Sequence, residues 1–191
     1  MVHIVSDTST LYSTGQAREA GFDVSPLSVT IAGGTYREFD EISSEKFVEI
    51  INQGHMPTSS QPAIGEVASL YDEFSGDEIL NIAMAHGLSG TYQSACIAAE
   101  EFPEQVFVVD SHTIALGSAI LTEYALGLAE QGMDAETIAW KLMQKREKVR
   151  LLAMLDTLEY LKKGGRISAA VALAGGLLNI KPVVCIENGE I

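Results

Sequence analysis

Three short apolar runs constrain this chain more than anything else in it: "VHIV" at 2–5, "ILNIAMA" at 79–85 and "VFVV" at 106–109. Each has the length of a strand and is followed by a stretch with helical character. Strands separated by helices join in parallel through crossovers, and the helices cover both faces of the sheet. The pattern predicts a three-layer α/β/α domain with a mainly parallel sheet over 1–149. After "KREKVR" (145–150) the character changes, and 150–191 reads as the start of a second, smaller α+β domain that is cut short.

Local signals fill in this frame. Asp7, Thr8 and Ser9 read as cap or turn residues after the first strand, and Gly33–Gly34 reads as a hairpin turn inside the β-rich stretch 24–39. Ser43 starts a helix that Gly54 stops, and a second helix begins near Ala63. Further helices are expected over 90–101, 113–131 and 135–148. In the last part, a strand and a short helix ending at Gly164–Gly165 precede a small-residue helix over 168–178 and a strand at "KPVVCIENGEI". Asn188–Gly189 is a type I′ turn dipeptide with only Glu190 and Ile191 after it, so an exposed, unpaired edge is expected there.

Composition excludes several classes of partner. Twelve Lys and Arg stand against 26 Asp and Glu, a net charge of −14, which repels nucleic-acid backbones and anionic lipid surfaces. The apolar stretch 113–133 carries Glu123 near its middle and reads as a buried helix rather than a membrane anchor. Met1 leads directly into a strand, and Cys96 and Cys185 lack a CxxC spacing, so a cytoplasmic protein with reduced cysteines is expected. His3, His55, His86 and His112 are scattered without metal-ligand spacing, and neither a metal nor a cofactor is expected.

Two hydroxyl clusters open helices. "HGLSGTYQSA" (86–95) carries Ser89, Thr91 and Ser94, and "MPTSSQP" (56–62) holds Thr58, Ser59 and Ser60 in a stiffened loop between two prolines. A helix start offers N–H groups and a positive dipole end to an anion, and in open α/β sheets such loops gather at the strand C-terminal edge. Alone, each cluster is also an ordinary N-cap. "GLSGT" approaches the G-x-S-x-G nucleophile elbow, which raises the alternative of a serine esterase acting through Ser89. Its last position is Thr91, however, and the later acid and base, Asp110 and His112, lie too close together in sequence to line up readily on that serine. No Lys follows the glycines, which excludes a P-loop. In "LKKGGRIS", Arg166 follows paired glycines and can lean toward an anion.

In this order, "MPTSSQP", "GLSGTYQSA", "TLEYLKKGGRIS" and "LLNIKPVVCIENGEI", with "VSDTSTL" near the start, resemble the DegV family of bacterial fatty-acid-binding proteins across the whole chain. The resemblance implies two domains around an apolar tunnel for one long-chain fatty acid, which is presented to a separate fatty-acid kinase that makes the acyl phosphate. It implies a carrier without chemistry of its own. By the same resemblance Thr58 and Ser89 bind the carboxylate, Ser59 and the turn at Gly90 line the pocket, and Arg166 orients the head group or meets the kinase. Ala85 and His86 depart from the Ser-Ser that members often carry before the glycine of the second motif. Family chains also run past residue 191 and include a histidine that helps hold the carboxylate. A homodimer through the incomplete second domain is a further expectation.

Overall fold

The computed structural model describes residues 1–167 and 181–191. Its centre is a sheet of four parallel strands: β1 (Val2–Asp7), β2 (Asp23–Ser25), β6 (Glu78–Ala83) and β7 (Val106–Asp110), in the order β2-β1-β6-β7. The register pairs Val5 with Asp23 on one side of β1 and Val2 with Glu78 on the other. Next along the sheet, Ile79 of β6 pairs with Val106 of β7.

Alternation along the strands sends apolar side chains to both faces. Ile4, Val24, Leu80, Ile82 and Val109 meet helices α5 (Leu116–Glu130) and α6 (Ala135–Arg146) through Leu121, Ala125, Ile138 and Leu142. Val5 and Ile79 face the opposite way, onto Val67 and Tyr71 of α3 (Ile64–Asp72) and Ala98 of α4 (Thr91–Ala99). Parallel sheet and flanking helices form the α/β fold that the sequence predicts. The buried Asn81 is satisfied on this second face, where its amide donates to the Tyr71 hydroxyl at 2.7 Å.

The helix starts follow the cap residues. Ser13 and Gln16 form a capping box on α1 (Thr14–Ala20), and the Ser43 side chain accepts from the Lys46 N–H at the start of α2 (Ser44–Asn52). Asp134 caps α6 in the same manner. Among the described residues no helix is long and apolar enough to cross a membrane, and α5, the longest apolar stretch, buries seven of its residues. It begins at Leu116, not at 113, because Thr113 is held as an acceptor for the Ala85 N–H and Ala115 takes a positive φ.

A second, antiparallel sheet has the order β4-β3-β5, from β3 (Ser28–Ile31), β4 (Gly34–Arg37) and β5 (Thr58–Ser60). Two sequence expectations change here. The β3–β4 turn is centred on Ala32–Gly33, both at positive φ, one residue before Gly33–Gly34, because Ile31 pairs with Gly34. The segment "TSS", expected as a loop, is a strand paired with β3. Nothing local to it favours a strand; the free edge of β3 supplies the hydrogen bonds. Phe47, Ile50 and Ile51 of α2 close the core of this sheet over Val29 and Ile31.

The last described strands, β8 (Leu151–Met154) and β9 (Val183–Ile186), pair antiparallel, with the short α7 (Glu159–Lys163) between them in sequence. Ile186 packs with Met84, Ala85 and Leu88 at the edge of the main sheet. Asn188 and Gly189 form the turn the sequence predicts, at φ 53° and 82°. Its edge is not unpaired: Glu187 and Glu190 exchange backbone hydrogen bonds, and the Gly189 N–H donates to the His112 carbonyl at 3.1 Å. The small-residue helix expected over 168–178 lies outside the described residues.

Candidate anion-binding site

From β1 the chain crosses outward to β2, whereas from β6 it crosses the other way to β7, so the connections diverge between β1 and β6. A crevice opens at such a switch point, beyond the strand C-terminal ends. Asp7 ends β1 there, and its carboxylate accepts the Met84 N–H at 2.8 Å and the Ser9 N–H at 2.9 Å. Burial pushes the Asp7 carboxyl above its ordinary range, against the lowering effect of these hydrogen bonds. Asp7 thereby ties the two central strands together just past the sheet.

Above this point lies a cavity of about 330 Å³ with Leu27, Met84 and Leu88 on its apolar side and Ser59, Ser60, Gln61, Ser89 and Arg166 on its polar side. Among the described residues no carboxylate lines it, in a chain of net charge −14. The Ser89 hydroxyl sits beside the start of α4, bonded to the Thr91 hydroxyl at 2.9 Å and accepting the Thr91 N–H at 3.3 Å. Gly90 caps α4, and a Cβ there would collide with the Gln61 side chain, so only glycine lets Gln61 cross over the helix start. Gln61 in turn donates to the buried Ser94 hydroxyl at 2.7 Å.

Arg166 reaches this loop from the far part of the chain. Its Nε donates to the Leu88 carbonyl at 3.1 Å and its Nη1 to the Gly164 carbonyl at 2.5 Å. Guanidinium has five N–H donors in a planar fork, so donors remain for an anion in the cavity.

The structure therefore brings Ser59, Ser89 and Arg166 together around one cavity, whereas Gly90 is not among its lining residues and meets the lining residue Gln61 instead. Thr58 is not among its lining residues: it sits at the start of β5, paired with Thr30 of β3, one residue before the lining run Ser59–Gln61. Ser60 and Gln61, which belong to the hydroxyl-rich segment but were not expected at the carboxylate, do line it.

The histidines are not all scattered. His86 Nδ1 lies 2.5 Å from Asp110 Oδ2, and His112 Nε2 lies 3.8 Å from the same oxygen. Asp110 Oδ1 is held by the His112 N–H at 3.0 Å and the His86 N–H at 3.3 Å. This is an acid–base pair of the kind an esterase needs, yet among the described residues no hydrogen bond joins Ser89 to either imidazole, and its hydroxyl is engaged with Thr91. Cys96 is half-buried with its thiol pushed up by burial, the opposite of a nucleophile's environment.

The family model described as "Uncharacterised protein, DegV family" matches residues 1–191. The chain belongs to the DegV family. A DegV domain-containing protein of Staphylococcus aureus is 36% identical over 190 residues, covering 98% of this chain and 68% of the relative. A solved DegV family protein from Thermus thermophilus, described by its fatty-acid binding, is 35% identical with a TM-score of 0.89, covering 99% of this chain and 69% of that one. A solved stearic acid-binding protein from Eubacterium ventriosum is 28% identical with a TM-score of 0.88, covering 100% of this chain and 68% of that one.

Proposed function

We propose that this DegV chain is a carrier that binds a long-chain fatty acid at the switch-point cavity, with the carboxylate at Ser89, Ser59 and Arg166. The observation that carries this reading is the composition of the cavity wall. Hydroxyls and one guanidinium converge from three separate segments, an apolar side faces them, and among the described residues no carboxylate intrudes. A monoanionic head group needs only a few such donors, and each methylene it brings out of water contributes about 0.8 kcal/mol. Gly90 lets the Gln61 crossover form and shapes the pocket, while Thr58 braces the strand that presents Ser59. The fatty-acid ligands named for the Thermus and Eubacterium proteins support the same ligand class here.

Serving as a carrier, the chain would act with a separate fatty-acid kinase that phosphorylates the presented carboxylate, in the cytoplasm, with no catalytic group and no cofactor of its own. Division into a domain over 1–149 and a second one from 150, and pairing of two copies through that second part, belong to the same proposal. The test is to purify the chain from a bacterial host, extract it with organic solvent and identify released lipids by mass spectrometry. Near one fatty acid per chain, reduced in Ser89→Ala, supports the carrier. A folded chain that releases no lipid and takes up none when it is supplied overturns the proposal, and labelling of Ser89 by a fluorophosphonate would favour an esterase instead.

A further inference from the structure

We propose that His86, Asp110 and His112 form a three-ligand site for a divalent transition-metal ion of the zinc type, separate from the fatty-acid cavity. One donor atom from each of the three residues lies within 4.8 Å of the other two. Tetrahedral zinc with bonds of about 2.0–2.2 Å holds its ligand atoms about 3.3–3.5 Å apart. The two imidazole-to-carboxylate distances, 2.5 and 3.8 Å, bracket that spacing. A small outward shift of the His86 ring brings the set to it, and His86 has the freedom to make that shift because its side chain is 62% exposed.

Three features separate this cluster from an ordinary surface ion pair. The central carboxylate is buried, at 8% exposure. Its Oδ1 is fixed by the backbone N–H groups of both histidine residues, which leaves Oδ2 toward the two imidazoles. Behind His112, the second ring nitrogen lies 3.5 Å from the Glu147 carboxylate. A carboxylate behind a ligating imidazole fixes its tautomer and raises its basicity, as in carboxylate–histidine–metal triads. Arg146 adds a hydrogen bond to the Asp110 carbonyl at 2.6 Å, which pins the end of β7.

Donor chemistry selects the metal. Two imidazoles and one carboxylate suit zinc and its neighbours, whereas calcium and magnesium take oxygen ligands. Three protein ligands leave a fourth position open on the exposed side, for water or an external anion. Because the Gly189 N–H is bonded to the His112 carbonyl, an ion held here also braces the turn from the β8–β9 sheet against the main sheet.

The experiment uses the untagged full chain, stripped with a chelator and titrated with Zn²⁺ by calorimetry and with Co²⁺ by absorption spectroscopy. One Zn²⁺ per chain and a tetrahedral Co²⁺ spectrum are expected. His86→Ala and His112→Ala should each weaken binding at least about tenfold, and Glu147→Gln by about tenfold through the lost outer partner. His55→Ala, at an exposed histidine outside the cluster, should leave binding unchanged. Absence of Zn²⁺ binding, or binding that survives His86→Ala and His112→Ala intact, overturns the site. Since His86 is largely exposed, its variant keeps the fold and the result stays readable. Metal uptake is read independently of lipid content, so failure of either proposal leaves the other standing.

Discussion

Gln61 Nε2 donates to Ser94 Oγ at 2.7 Å, and this one bond fastens the segment after β5 to the first turn of α4. The two hydroxyl clusters, more than thirty residues apart in sequence, become one wall through it. Gln61→Ala removes the bond, and Gly90→Ala pushes the Gln61 side chain out of its place. Both variants should stay folded and lose fatty-acid occupancy, measured as lipid released per chain by mass spectrometry.

Ser89→Ala and Arg166→Gln each remove a donor from the cavity wall. Hydrogen bonds to a charged group contribute about 1.5–3 kcal/mol, so each should weaken fatty-acid binding by about tenfold or more. Ser59→Ala should cost more affinity than Thr58→Ala, because Thr58 pairs with β3 outside the lining. Fluorescent fatty-acid displacement checks the order.

Asp7 and Glu38 give the chain an unusual acid response. Burial raises the Asp7 carboxyl, and it raises Glu38 too, where a Thr8 hydrogen bond opposes the shift and the nearby Asp7 adds to it. A carboxyl whose folded pKa exceeds its unfolded value stabilises the fold fully below the unfolded value, and that contribution is lost as pH rises through the folded one. Acidifying from about pH 7 toward about pH 4 should therefore stabilise the native chain relative to Asp7→Asn/Glu38→Gln. In the double variant an amide NH2 replaces one oxygen of each carboxyl, so one of the Met84 and Ser9 N–H groups loses its acceptor, an offset at all pH values; the change of the difference with pH is the quantity to read from urea unfolding.

Tyr71 is fully buried and its hydroxyl accepts the Asn81 amide. Tyr71→Phe leaves that amide without its acceptor beneath the sheet, at a cost of about 1–3 kcal/mol. The melting temperature should fall by about 2–4 °C for each kcal/mol. Asn81→Leu in the same background should recover part of the loss, since both polar partners are then gone.

Gly87 faces the turn of the β8–β9 sheet. A Cβ at this position would lie 2.6 Å from the Gly189 carbonyl oxygen, and backbone cannot step aside cheaply. Gly87→Ala should displace the turn, and hydrogen exchange should show faster exchange of the Gly189 amide while the β1–β6 amides stay protected.

The central sheet was legible because its strands announce themselves by apolar runs that must be covered on both faces, and helix α2 by its Ser43 cap; the caps at Ser13 and Asp134 emerged only with the structure. Ser59, Ser89 and Arg166, expected together from the hydroxyl motifs and the family resemblance, do line one cavity. What escaped depended on pairing across distance. β5 has no local signal and exists through its bonds to β3, so which part of the segment meets the cavity could not be assigned in advance. His86 and Asp110 are 24 residues apart, and only the parallel alignment of β6 with β7 places the residues that follow Ala83 beside the end of β7. The turn at Asn188–Gly189 was legible; its partner surface at Gly87 and His112 was not, because no periodicity encodes docking.

The pairing of Val2 with Glu78 in the sheet centre has a consequence for how the chain comes into being. β1 is made well before its inner neighbour β6, which arrives only after β2, the whole β4-β3-β5 sheet and helices α1 to α3 have been laid down. Closing a loop of that length costs entropy before any of the burial around Val5 and Ile79 rewards it. Until β6 emerges from the ribosome, Ile4 and Val5 have only β2, α1 and α3 to cover them. Assembly of the central sheet, rather than formation of any single helix, should set the pace of folding, and a chaperone that shields the first eighty residues should raise the yield of the native chain.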